Sequence, residues 1–545
     1  MQKYYITLLI SAFAMIGNIQ SQFTLQDTLR GSITPERAWW DLTYYHLDIE
    51  VDPDARYIAG TNAIQYIAIG DQKRFQVDLQ PPLKAIRFIQ NGKELNFEHI
   101  GNAYFIDIPK VSKGETHTLM VHYEGNPPVS TNPPWTGGFT WKKDAQGNHF
   151  AATSCQGDGA SMWWPCKDHM YDEPDSMLIS VTLPDHLMNV SNGRLRAIET
   201  RKKGSKTYHW YVDNPINNYG VNVNIGDYAH FEEVYEGEKG KLDCDYYVLK
   251  ENLSKAKEQF KQVPMMLEAF EYWFGPYPFY EDGFKLVEVP YLGMEHQSSV
   301  TYGNHYQNGY LGQDRSDSGW GMKFDFIIIH EAGHEWFANN ITNIDIADMW
   351  IHEGFTAYSE ALYLEYHYGK AAADAYNIGK RFRIRNDKPI IGTYNVNRSG
   401  SGDMYVKGAN MLHTLRHWVD DDVKWRKMLR GLNTDFYHQT VTTEQIEVYM
   451  ANVLGIPLDH FFDQYLRDTR IPILQYRKVG NKLWYRWSNC NKGFNMSIKV
   501  DIDNVETWLK PTYGWKKKEY ASPVKSFTPD HNFYIASMEH QMYDE

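Results

Sequence analysis

The stretch FDFIIIHEAGHEWFANN, residues 324 to 340, sets two histidines and two glutamates inside a run that is mostly apolar. The run predicts a buried helix, and a buried helix does not tolerate unpaired charge, so these side chains need a partner. His330 and His334 are four apart, which on an α-helix stacks their rings on one face within reach of a single ion. Glu331 falls about 100° round the helix from His330, beside such an ion rather than among its ligands. A third ligand is required. The segment DMWIHEGFTAYSE, residues 348 to 360, supplies Glu353, 19 positions after His334, on a second helix-like stretch whose Gly354 and Ala357 are expected to let it pack closely on the first. Two histidines and a glutamate suit one zinc ion and leave a coordination position for water. Zinc brings the pKa of bound water from about 15.7 toward about 7, and Glu331 is then expected to accept the proton as the oxygen attacks a carbonyl. The competing reading, a solvent-exposed helix face, has little room between FDFIII and WFANN.

At 545 residues the chain exceeds one hydrophobic core and implies about two to four domains. Apolar residues at 42% and aromatics at 15% exclude an intrinsically disordered chain. The net charge of −13 leaves no obvious source for the phosphate-backbone affinity on which nucleic-acid binding rests, so no nucleic-acid partner is expected. The first residues, MQKYYITLLISAFAMIGNIQSQ, run from one lysine (Lys3) through an apolar stretch too short for a membrane span to small residues. This predicts a cleavable signal over residues 1–21, cut after Ser21 to leave Gln22, and hence export to the periplasm or the extracellular space with no integral membrane span afterwards. The alternative is a buried N-terminal strand. Four cysteines (Cys155, Cys166, Cys244 and Cys490) cannot be the main support of so long a chain, and spacing leaves a Cys155–Cys166 pair undecided.

Segments such as YYHLDIEVD, HTLMVHYEG and SMLISVTLP alternate in the manner of strands and are punctuated by GNPP, TNPP and SNGR, so an all-β domain is expected over residues 22–237. The polar, glycine-bearing EGEKGKLD then reads as a boundary. Helical periods follow, from Ser254 to Trp273 and from Lys323 onward, predicting a mainly α catalytic domain over 238–469; within it Thr442 and Gln445 have the spacing of a capping box. ILQYRKV, KLWYRWS and MSIKVDI alternate again and predict a small β module over 470–545.

HEAGH and Glu353, taken with YLGMEHQ at 291–297 and MYVKG at 404–408, resemble the zinc aminopeptidase family of aminopeptidase N, the gluzincin aminopeptidases, in the order and spacing of four motifs. The resemblance implies a multidomain α+β fold: an N-terminal β saddle, a thermolysin-like catalytic domain and a C-terminal β sandwich. It makes His330, His334 and Glu353 the zinc ligands and Glu331 the general base, as the residues already suggest. It aligns LGMEH with the family's Gly-x-Met-Glu-Asn, so that Glu295 would hold the substrate's free ammonium, with Gly293 and Met294 along its backbone; His296 departs from the usual asparagine. It gives Tyr405 the role of donor to the tetrahedral intermediate's oxyanion, and Glu360 that of orienting a zinc-bound imidazole. It sets Gln156, in SCQGDGASMWWPCKD, beside Glu295 as a second amine contact. Many relatives enclose the site with a large C-terminal helical domain, so a comparatively open cleft is expected here.

The implied function is a zinc-dependent aminopeptidase acting on peptides with a free N-terminus. A buried carboxylate facing an ammonium is a physically sensible filter for such ends, and it disfavours an endopeptidase. A catalytically dead binding scaffold would have lost a ligand or Glu331, and neither is lost. Epoxide hydrolysis is known in the family, yet nothing in the sequence selects for it. MLHTLRH sets His413 and His417 four apart, but with no acid between them and no evident third ligand they read as structural.

Overall fold

The computed structural model describes residues 23–71, 73–202 and 204–540. The expected leader, residues 1–21, and Gln22 lie outside the described residues. Among the described residues, no helix is long and apolar enough to cross a membrane.

The N-terminal part is built of three sheets. The largest has eight strands, in which Trp40–Asp52 lies centrally, antiparallel to Tyr57–Ala68 and parallel to Ser176–Pro184. The other two sheets have four and three strands. In Trp40–Asp52 buried residues alternate with more exposed ones, including Leu47, Ile49 and Val51 facing inward, which is the period-two pattern of a half-buried strand. Their shared core also takes in Val287, Val289, Tyr291 and Met294 from the middle of the chain, so the YLGMEHQ motif is anchored on the first domain.

EGEKGKLD forms the tip of a hairpin. Tyr228–Gly237 pairs with Gly240–Leu249, and both join Phe284–Glu288, Val300–Tyr302 and Gly293–Met294 in one five-stranded sheet. The division expected at 237/238 therefore falls in a turn inside a sheet. Glycine and charge mark a turn equally well whether or not a domain ends there.

Helices then dominate: Gln262–Phe274, Phe326–Gly333 (the histidine helix), Trp350–Tyr368 (the glutamate helix), Lys370–Gly379, Val406–Val419, Asp422–Asp435, Thr443–Leu454 and Asp459–Leu466. The capping box at Thr442 and Gln445 forms as expected. The C-terminal residues make sheets of four and three strands, including Ile473–Val479, Lys482–Ser488 and Ile498–Ile502, and their core is continuous with that of the helices.

Candidate metal and peptide site

Asp325 starts the histidine helix. Its carboxylate accepts from the backbone N–H of Ile327 and Ile328, and from Tyr302 Oη, Asn304 Nδ2 and Gln259 Nε2, so the helix begins from a fixed point. The helix ends at Gly333, and His334 follows with φ −67° and ψ −17°, still close to helical. The chain then breaks: Phe337 has φ −128° and ψ 84°, and Ala338 has φ 153°, a value glycine favours. This break brings the Phe337 carbonyl to 3.0 Å from His334 Nδ1.

The glutamate helix lies against the histidine helix, though not through Gly354. A Cβ on Gly354 would face Met404 and Gly408 of the MYVKG segment, whereas a Cβ on Gly333 would lie 2.7 Å from Ser359 Oγ. The close approach is thus made by the glycine of HEAGH, while Gly354 lets the Val406–Val419 helix come near. The sequence shows small residues on both helices, and the direction each faces is settled by packing.

His330 Nε2 and His334 Nε2 lie 3.7 and 3.4 Å from Glu353 Oε2. Each histidine is fixed from behind: His330 Nδ1 contacts Glu360 Oε1 at 2.8 Å, and His334 Nδ1 contacts the Phe337 carbonyl and Thr356 Oγ1. With the protons on Nδ1, both Nε2 lone pairs point at the space beside Glu353. Glu353 Oε2 is buried there without a hydrogen-bond partner among the described residues. A buried orphan oxygen facing two imidazole nitrogens is the signature of an ion site, so the residues fit a metal of the zinc class.

Glu331 is buried beside this set, and burial pushes its carboxyl up to about 7, with the imidazoles opposing the rise. Glu295 is also buried, and burial raises its carboxyl too. Glu295, Glu331 and His334 each bring one donor atom within 4.8 Å of the others. Gln156 Nε2 donates to Glu295 Oε1 and, at 3.1 Å, to Glu353 Oε1, so one amide links the two carboxylates. Tyr405 Oη donates to Glu353 Oε1 at 2.8 Å, and its ring stacks near that of His330. Gly293 has φ 155°, and a Cβ there would sit 2.6 Å from Ile327 Cγ2, so only glycine lets the Gly293–Met294 strand pass the histidine helix. All nine residues singled out as site residues line one cavity of about 500 Å³.

Some residues went unnoticed in the sequence. Lys380 Nζ and Tyr376 Oη both donate to Glu360 Oε2, at 2.8 and 2.6 Å. Against the cost of burial, Lys380 and His330 hold the Glu360 carboxyl down at about 2. Trp135, Tyr310, Arg315, Arg383 and Arg385 also line the cavity. A lone lysine or arginine carries no sequence signal that separates it from the solvated surface. His296 does not line the cavity: it is fully buried, with Nδ1 3.2 Å from Thr301 Oγ1, and burial brings its ring down to about 3. Cys155 and Cys166 are free and buried, so the possible pair does not form. His413 and His417 lie away from the cavity, but Asp374, unnoticed in the sequence, approaches both.

This geometry has counterparts. Residues 258–465 match the model of the Peptidase family M1 domain. The helical middle of the chain is thus similar to an M1 peptidase domain. Among curated relatives of the M1 domain, endoplasmic reticulum aminopeptidase 1 of Homo sapiens is 23% identical over 343 residues, covering 60% of this chain and 35% of that protein. Aminopeptidase B of Rattus norvegicus is 26% identical over 381 residues, covering 65% and 53%. The chain thus spans between about a third and a half of their lengths. An M1 zinc metallopeptidase variant from Deinococcus radiodurans, solved with a Tyr-Ser-Ala substrate, has the same fold at 20% identity and a TM-score of 0.66, covering 79% of this chain and 95% of that one.

Proposed function

We propose that the chain is a zinc-dependent aminopeptidase, a hydrolase that removes the first residue of peptides with a free N-terminus. We further propose that it is exported and works in the periplasm or outside the cell, a reading supported by the leader-like residues 1–21. One observation carries the activity: Gln156 links Glu295, the residue suited to an ammonium, directly to Glu353 of the metal-facing set. An N-terminal amine held at Glu295 therefore has its first peptide carbonyl beside the donors of His330, His334 and Glu353. The related aminopeptidases and the zinc metallopeptidase fold support the same reading.

His330, His334 and Glu353 would hold one zinc ion, which when bound acidifies water and polarises a carbonyl. Glu331 takes the proton of the attacking water and passes it to the leaving amine. Glu331 is a buried carboxylate beside the His330–His334–Glu353 set, where it can do both. Glu295 receives the substrate ammonium by a charge-assisted hydrogen bond, and the side-chain amide oxygen of Gln156 accepts a second. Tyr405 turns its hydroxyl from Glu353 to the oxygen on which negative charge develops.

The test is kcat/KM for a matched pair of peptides, free and N-acetylated, on wild type, Glu295→Ala and Gln156→Ala. Wild type should reject the acetylated peptide, whose blocked end leaves Glu295 desolvated and unpaired. Glu295→Ala should slow hydrolysis of the free peptide strongly and narrow the gap between the two, and Gln156→Ala should do so more mildly. Internal cleavage of the acetylated peptide as fast as trimming of the free one would make this an endopeptidase.

A further inference from the structure

Away from the cavity, a second set of side chains repeats the geometry of the first. On the Val406–Val419 helix the rings of His413 and His417 lie 4.5 Å apart between centroids. Asp374, on the neighbouring Lys370–Gly379 helix, brings Oδ1 to 3.8 Å from His413 Nε2 and 3.6 Å from His417 Nε2. The corresponding separations from Glu353 to His330 and His334 are 3.7 and 3.4 Å. Neither Asp374 contact is short enough for a hydrogen bond, which for N–H···O closes to about 2.7–3.2 Å. Two donors bound tetrahedrally to zinc at about 2.0–2.2 Å lie roughly 3.4 Å apart, and the observed spacing is close to that.

The polar atoms agree. His417 is 7% exposed, and its Nε2 is buried without a hydrogen-bond partner among the described residues. A buried imidazole nitrogen aimed at a carboxylate it does not bond is the same defect that Glu353 Oε2 shows in the first set. His413 Nε2 donates to Asn532 Oδ1 across 3.0 Å, so an ion bound here must displace that proton, after which Asn532 Oδ1 stands at the cluster as an oxygen donor from the C-terminal β region. The Asp374 side chain is 24% exposed, which provides an access path for an ion. Two guanidiniums near His413 are engaged elsewhere: Arg416 with Glu365 and Asp422, and Arg381 with the backbone carbonyls of His531, Asn532 and Phe533.

We propose that Asp374, His413 and His417 form a second divalent-cation site, of the class that prefers imidazole with one carboxylate and zinc above all, with Asn532 supplying an oxygen. Such an ion joins two helices of the middle region to the C-terminal β region. It is structural in kind, because none of the three residues lines the peptide cavity.

The experiment counts metal. The full chain and four variants, His417→Gln, Asp374→Asn, His334→Gln and the double variant His334→Gln/His417→Gln, are equilibrated with buffered free zinc and desalted, and zinc per chain is measured by mass spectrometry. Two ions are expected in wild type, one in each single variant and none in the double. A second readout is thermal unfolding in the His334→Gln background, where added zinc should raise Tm and should cease to do so once His417→Gln is added. Asp374→Asn, at a partly exposed position, guards against a His417 variant that fails to fold. An equal count in wild type, His417→Gln and Asp374→Asn overturns the proposal. The first site is read separately: if it holds no zinc, His334→Gln leaves the count unchanged while His417→Gln still lowers it.

Discussion

Lys380 Nζ donates to Glu360 Oε2 across 2.8 Å with both side chains buried, while the other oxygen of Glu360 lies 2.8 Å from His330 Nδ1. The lysine therefore acts on the imidazole through the carboxylate, setting the charge that fixes the ring's tautomer and direction. Lys380→Met keeps the bulk and removes the charge. The expected result is a loss of about 10- to 100-fold in zinc affinity, measured by competition with a chromophoric chelator. Unchanged affinity would show that Lys380 only fills space.

Glu331 contributes no atom to the His330–His334–Glu353 set, so Glu331→Gln should leave metal in place and remove the proton acceptor. A fall of at least about 10² to 10⁴ in kcat is expected, with zinc content at the first site unaltered. Activity retained above roughly a tenth of wild type would take Glu331 out of the reaction.

Tyr405→Phe deletes one hydroxyl that touches Glu353 at 2.8 Å. The fold should be preserved, and kcat should drop about 10²- to 10³-fold because a donor to the transition state is gone. KM should change little. A change confined to KM would instead make Tyr405 a substrate contact.

Asp325 holds the first turn of the histidine helix through two backbone N–H groups and three side chains. Asp325→Ala leaves several buried donors unpaired and should destabilise the protein by roughly 2–4 kcal/mol, read from chemical denaturation. A loss below about 1 kcal/mol would mean that solvent or a shifted neighbour replaces the carboxylate.

The sequence by itself determined what depends on short-range periodicity. Two histidines four apart share a helix face whatever surrounds them, Glu331 must fall beside that face, and alternating runs such as YYHLDIEVD and KLWYRWS become half-buried strands; the same local logic makes the Thr442–Gln445 box. Resemblance to a family carried Glu295, Gln156 and Tyr405, which spacing alone would have left among ordinary surface side chains. Only the tertiary structure decided which glycine brings the two site helices together, that EGEKGKLD is a hairpin turn, that Lys380 and Tyr376 stand behind Glu360, and that Asp374 meets His413 and His417. It also joined Gln156 to Glu295 and Glu353, 139 and 197 residues further along the chain. No period in a sequence encodes such a contact: it depends on how sheets and helices, each formed for local reasons, bury their apolar faces against one another, and the polar groups that meet there are fixed by that packing.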